Sequence, residues 1–160
     1  MQNNPQAQSS PPMPIAAPSA SLYDQDLSAW AAHNANLLRK GQFKDLDIEH
    51  LIEELDDMGK SEFRAFESHI QNLLMHLLKW QMQPLMRSGS WRGTIDNARH
   101  AMVKLLRDNP SFKSRLQQTI AEEYPYARKS ASYETGLALS AFSASCTYSS
   151  DQLLDEEWFP

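Results

Sequence analysis

Two side chains that could do chemistry lie in the most apolar stretch of the sequence, NLLMHLLKWQMQP at residues 72–84. His76 can exchange a proton near neutral pH, and Lys79 can hold an anion. Together with His69, Asn72 and Gln83 they recur at spacings of three and four residues. This spacing predicts a helix with one polar edge, which either faces water or lines a cleft between helices.

If the edge lines a cleft, other helices must supply the remaining groups of a site. Glu54 is the best carboxylate candidate to orient His76, and Arg92 could hold an anion together with Lys79. These four residues are the candidate catalytic or ligand-binding set of a small-molecule binder or enzyme. The competing hypothesis is a buried network of ions and hydrogen bonds that fixes the register of the helices.

Motifs of established chemistry are missing from the sequence. His69 and His76 are two helical turns, or about 10 Å, apart, which is too far to chelate one metal without another helix. There is no Glu-x-x-His, no Walker loop and no Gly-x-Ser-x-Gly, and the single cysteine, Cys146, excludes a disulfide within the chain. We therefore expect no metal and no cofactor, and the sequence favours a non-enzymatic protein.

The elements that must position these residues are helical, since apolar residues follow the helical period from residue 21 onward. The pattern predicts an all-α bundle of about five helices with a short C-terminal helix or turn. Residues 1–20, rich in Pro, Gln, Ser and Ala, are predicted to be a disordered tail. Residues 21–160 are predicted to be one helical domain.

Several boundaries of these helices can be predicted from caps and breaks. The first helix should run from Ser21 to Gly41, and the second should follow Asp47. Gly59 should end or bend the second helix, and Pro125 should break or kink the fifth. The third helix should stop before Pro84, and Ser149 or Ser150 should cap the last one. The second helix should pack through one apolar face, which comprises Ile48, Leu51, Ile52, Leu55 and Met58.

Charge is segregated along the chain. Residues 47–57 hold six carboxylates and no Lys or Arg, whereas residues 79–115 hold eight basic residues. Such runs are either solvated faces or a surface dipole that steers a partner or pairs two copies of the chain.

Charge also bears on the kind of partner. A formal charge of −5 argues against nucleic-acid binding, which would use basic stripes carrying Arg92, Arg99 and Lys104 on the fourth helix. No stretch is apolar enough to span a membrane, because the best window contains His76 and Lys79. We therefore expect a cytoplasmic protein.

The segments LDIEHLIEELDDMGKSE, LLMHLLKWQMQP, SWRGTI, LLRDNPS, ETGL and LLDEEWFP resemble a bacterial family catalogued as domain of unknown function twenty-nine. The resemblance covers residues 22–160. It implies a small all-helical protein and no established reaction. The predicted function is therefore a protein-interaction module that binds a protein partner or self-associates. The alternatives are a small-ligand binder or enzyme around His76, and a nucleic-acid accessory protein.

Overall fold

A computed structural model describes residues 21–160, and every regular element within that range is helical. The prediction of an all-α fold with a short C-terminal helix is confirmed, whereas the predicted disordered tail lies outside the described residues. The helices of the described range are α1 (Leu22–Gln25), α2 (Leu27–Arg39), α3 (Ile48–Met82), α4 (Gly89–Asp108), α5 (Leu116–Thr135) and α6 (Ser150–Leu154). None of them is long and apolar enough to cross a membrane.

The contacts of the chain divide it into two compact units, one that ends at Glu53 and one that comprises Glu54–Pro160. The first contains α1, α2 and the start of α3. The second contains the rest of α3 together with α4, α5 and α6. The assignment of residues 21–160 to a single domain stays a prediction.

The first predicted helix is two helices, because Asp26 adopts an extended conformation between them (φ −156°, ψ 93°). Its carboxylate accepts a hydrogen bond from the Ala29 amide at 2.9 Å and so caps α2. The capping box of Ser21 and Asp24 is present on α1 as the sequence predicts. Gly41 follows α2 with a φ of +69°, a conformation that glycine adopts without strain.

The predicted second and third helices are one helix, α3, which continues through Gly59. The predicted end of a helix at Gly59 is wrong, whereas the alternative, a bend there, stays a prediction. A single glycine costs a helix only about 1 kcal/mol relative to alanine, and Gly59 does not take the positive φ that ends α2 and α5. As predicted, α3 stops just before Pro84.

The predicted break of α5 at Pro125 is also wrong, since α5 runs from Leu116 to Thr135 with the proline inside it, whereas the predicted kink stays a prediction. The proline removes one backbone hydrogen bond, and an interior proline costs a helix about 3 kcal/mol. Tyr124, Ala127 and Ala131 are buried on either side of it, so packing holds both halves of the helix in place.

The hydrophobic core of the second unit forms where α3, α4, α5 and α6 pack together. α3 supplies six of its fully buried apolar side chains, all from the second half of the helix. The buried core residues are Phe66, Ile70, Leu73, Leu74, Leu77, Leu78, Ile95, Ala98, Met102, Leu106, Leu116, Ile120, Tyr124, Ala127, Ala131, Phe142, Tyr148 and Leu153.

Candidate functional site

The C-terminal part of the polar edge of α3, Lys79 and Gln83, contacts the end of α5. Lys79 is 6% exposed, and its ammonium forms an ion pair with the Glu134 carboxylate. The same ammonium lies over the Trp91 ring of α4, 4.6 Å from the ring centroid. One turn later, Gln83 donates a hydrogen bond from Nε2 to the Thr135 carbonyl at 3.2 Å. The edge therefore connects α3 with α4 and α5.

His76 lies three residues before Lys79 and is half-buried. Its Nδ1 donates a hydrogen bond to the Asn72 carbonyl at 3.0 Å. Burial lowers the pKa of His76 below its usual value. The hydrogen bond to Asn72 opposes that shift, Lys79 adds to it, and Glu134 opposes it. The net shift of the pKa favours the neutral imidazole.

The other two members of the predicted set are Glu54 and Arg92. Glu54 is on the same helix as His76, 22 positions earlier, and this separation corresponds to about 33 Å along an α-helix. Arg92 is exposed, with its guanidinium over the Phe159 ring and its Nε 3.7 Å from Asp96. The predicted convergence of Glu54 on His76 is wrong, because both belong to one continuous helix. A catalytic role for His76, Lys79 or Arg92 stays a prediction.

The residues that do complete the Lys79 network are Glu134 and Trp91, and sequence reasoning missed both in this role. Trp91 shares the helical spacing of the buried residues Ile95 and Ala98, and this pattern indicates packing rather than contact with a cation. Glu134 is the first residue of the ETGL segment at residues 134–137, which is one of the segments that carry the family resemblance. This position was the one feature of the sequence that could have indicated a role for Glu134. Because one buried cation contacts both a carboxylate of α5 and an indole of α4, the arrangement matches a network that fixes helix register.

Arg99 is fully buried and holds the C-terminal segment in place. Its guanidinium donates hydrogen bonds to the carbonyls of Leu153, Glu156 and Trp158, at 3.1, 3.2 and 2.5 Å. It also lies over the Phe159 ring, 5.1 Å from the centroid. Burial lowers the pKa of Arg99 from its usual value, although nearby carboxylates oppose that shift.

The assignment of Arg99 to an exposed basic stripe for nucleic acid is therefore wrong. The signal that could have corrected it is its spacing. Arg99 follows Ile95 by four residues and precedes Met102 by three, which places it on the core face of α4.

In the first unit, Asp47 joins the helices through its side chain. Its Oδ2 accepts a hydrogen bond from Trp30 Nε1 at 2.9 Å and lies 2.8 Å from His50 Nδ1. The Tyr23 ring stacks on the His50 ring at 4.0 Å. The hydrogen bond from Trp30 lowers the pKa of Asp47, with a further contribution from His50. His50, which sequence reasoning placed on the surface, is therefore part of this packed cluster.

The pKa of His50 is raised, first by its hydrogen bond with Asp47 and then by nearby carboxylates, including Glu53 and Glu49. Acidic residues are dense here, yet their geometry does not make a metal centre. Residues 21–160 contain no group of three or more His, Cys, Asp or Glu side chains placed to hold a metal ion.

The apolar face predicted for the start of α3 is present, but it does not pack as predicted. Ile48, Ile52, Leu55 and Met58 are 52%, 58%, 64% and 65% exposed. We call these four residues the apolar stripe. They follow one another at spacings of four, three and three, so helix geometry alone places them on one side of α3. Only Leu51, of the five predicted face residues, is half-buried.

The apolar stripe is flanked by carboxylates. Glu49, Glu53 and Asp56 lie on one side of it around the helix, and all three are exposed. Residues 47–57 hold six carboxylates and no Lys or Arg, so no basic residue interrupts this acidic border. The sequence pattern thus predicted the apolar stripe and its border correctly, but not that the stripe is uncovered.

The described residues thus form a helical protein in which the first half of α3 presents an exposed apolar stripe with carboxylates along one side. The chain belongs to the family described as Domain of unknown function DUF29, whose family model matches residues 22–159. No curated protein and no solved structure matches the chain. The family membership confirms the resemblance and assigns no activity.

Proposed function

We propose that this chain is a non-enzymatic protein-interaction module and that the apolar stripe is its binding surface. The observation that carries the proposal is the exposure of four large apolar side chains, between 52% and 65%, on one side of one helix. Contiguous apolar patches on a soluble protein often mark interaction sites. Covering each of these side chains would contribute about 1–2 kcal/mol to association.

The first half of α3 contributes only partly buried side chains to packing. His50 and Leu51 are partly buried near its start, and Phe63 packs against the core near its end. The apolar stripe itself is exposed, so its four side chains gain little from packing, which is the main source of helix stability in proteins. A partner that covers the apolar stripe would supply that missing packing.

An enzyme built around His76 has less support from the geometry. The ammonium of Lys79 is buried and is already paired with Glu134 and Trp91, so it lacks a free face for a substrate anion. A nucleic-acid role also has less support. The Arg99 guanidinium cannot contact a phosphate, because it is hydrogen-bonded to backbone carbonyls in the interior.

Photo-crosslinking in cells that express the protein would test the proposal. A photoreactive residue at Leu55 should give protein adducts, including dimers if the chain self-associates, that the same residue at exposed Gln118 does not give. The adducts should disappear when Ile52 is changed to Ser. Light scattering on the purified protein would identify self-association. A monomer whose adducts at Leu55 are no stronger than those at Gln118 would show that the proposal is wrong.

A stability control must accompany this test. The double substitution Ile52→Ser and Leu55→Ser should lower the free energy of unfolding by about 1–2 kcal/mol, because each side chain is only partly covered in the folded chain. By contrast, Leu73→Ala, in the core, should cost about 2–5 kcal/mol. The comparison separates loss of binding from loss of folding.

A further inference from the structure

We infer that the partner of the apolar stripe is an amphipathic helix of another protein, with Lys and Arg on both sides of its apolar face. This inference rests on the proposed function and adds the chemistry of the partner. The apolar stripe runs from Ile48 to Met58, about 15 Å along the helix axis. A partner helix of about three turns, with its own apolar side chains at helical spacing, matches that length.

Charge complementarity points to a basic partner. The chain has a formal charge of −5, and residues 47–57 alone contribute −6, so the remainder of the chain sums to +1. The segment that carries the apolar stripe therefore accounts for the net negative charge of the chain. Within that segment Asp57 pairs with Lys60 at 3.3 Å, and the exposed carboxylates that flank the stripe, Glu49, Glu53 and Asp56, would meet cations on an incoming helix.

Pairing of two copies through the same surface is disfavoured by this charge. Two apolar stripes placed face to face would bring the carboxylates of one copy beside those of the other. Like charges across an interface are destabilising and act against the wrong partner. No Lys or Arg lies within residues 47–57 to offset the repulsion.

The basic helix of a second copy does not fit the apolar stripe either. α4 carries exposed Arg92, Lys104 and Arg107, which suit the acidic border. Of the large apolar side chains of α4, however, only Val103 is exposed, with 43% of its surface accessible to solvent. A single valine cannot cover four large side chains, so α4 supplies the charge of the required partner without its apolar face.

Three designed peptides would test the inference against the full chain by fluorescence anisotropy. The first has Leu at helical spacing with Lys and Arg flanks. The second has the same Leu positions with Glu flanks. The third has the composition of the first with the Leu positions scattered around the helix. The first should bind at least about tenfold more tightly than the other two, and added salt should weaken its binding.

Matched variants of the protein separate the two contributions. Ile52→Ser with Leu55→Ser should abolish binding of the first peptide, because the apolar contact is lost. Glu53→Gln with Asp56→Asn should weaken it about tenfold. Asp151→Asn with Glu157→Gln removes two exposed carboxylates far along the chain and should leave the affinity unchanged.

The outcomes distinguish this inference from the proposed function. Equal binding of the basic and acidic peptides would overturn the inference and leave the interaction module standing. A homodimer that dissociates on Leu55→Ser would do the same. If the first peptide does not bind, and crosslinking from Leu55 also gives no specific protein adduct, both are wrong.

Discussion

Lys79 and Glu134 form an ion pair across 55 residues of sequence, and only the lysine is buried. The Lys79 side chain is 7% exposed and that of Glu134 is 48% exposed. Removal of the carboxylate therefore leaves a buried ammonium whose remaining described contact is the Trp91 ring. Removal of the ammonium leaves a carboxylate that water can solvate.

This asymmetry predicts unequal effects of single substitutions. Glu134→Gln should lower the free energy of unfolding by about 1–3 kcal/mol, a value reduced from that of a fully buried pair because Glu134 is half-exposed. Lys79→Met, which keeps most of the packing volume, should cost less. Urea unfolding of both single variants and of the double variant would measure the coupling. Additive effects would show that the pair does not couple α3 to α5.

His50 and His76 should make the free energy of unfolding depend on pH in opposite directions. The pKa of His50 is raised in the folded protein. Its contribution to stability is therefore fully present below pH 6.5, the pKa of histidine in the unfolded chain. That contribution is lost as pH rises through the folded pKa. The pKa of His76 is lowered by burial, so its neutral form favours folding above 6.5. That contribution is lost as pH falls through its folded pKa.

Urea unfolding from about pH 5 to pH 8 would test this pair of shifts. His50→Gln should lose the most stability, relative to the wild type, at the acidic end of the range. His76→Gln should instead lose less stability than the wild type on acidification. Imidazole titration by NMR would check each pKa directly. Folded pKa values on the same side of 6.5 would contradict the prediction.

Arg99 should be essential for docking of the C-terminal segment. Arg99→Met leaves three backbone carbonyls without their donor, and an unsatisfied buried polar group costs about 1–3 kcal/mol. We expect a loss of about 3 kcal/mol and rapid proteolysis within residues 153–160. Arg99→Lys should rescue little, since an ammonium cannot reproduce the planar fork of donors.

Arg92→Met is the matched control, because Arg92 contacts the same Phe159 ring from an exposed position. It should change stability by about 0.5 kcal/mol or less. Mass spectrometry of the fragments would locate the cleavage sites. Equal protection of the segment in the Arg99→Met and wild-type proteins would exclude the tethering role.

Gly59→Ala should stabilise the protein by up to about 1 kcal/mol, since Gly59 lies inside α3 and an added Cβ meets nothing within 4 Å. Gly41→Ala is the contrasting substitution. Its site is equally open, but its φ of +69° strains a residue with a side chain, so stability should fall. Thermal unfolding of both variants would measure the difference. A destabilising Gly59→Ala would argue for a break in α3 at that point.

Much of the fold follows from local sequence signals. The helical class, the Ser21 and Ser149 caps and the stop before Pro84 agree with the structure, because caps and proline act within a few residues. Gly59 and Pro125 did not act as breaks. At Gly59 the cost to the helix is only about 1 kcal/mol, and the residues around it are exposed, so α3 continues there without help from packing. At Pro125 the cost of about 3 kcal/mol is offset by the buried residues on either side of it, and such packing is not visible in a local pattern.

The sequence by itself determined that α3 has a polar edge near His76 and an apolar stripe near Leu55, because periodicity places residues on faces. Only the tertiary structure decided what each face meets. The polar edge meets Glu134 and Thr135, far along the chain, whereas the apolar stripe is exposed. The physical reason is that helix geometry relates residues a few positions apart, while burial depends on which distant segments pack together.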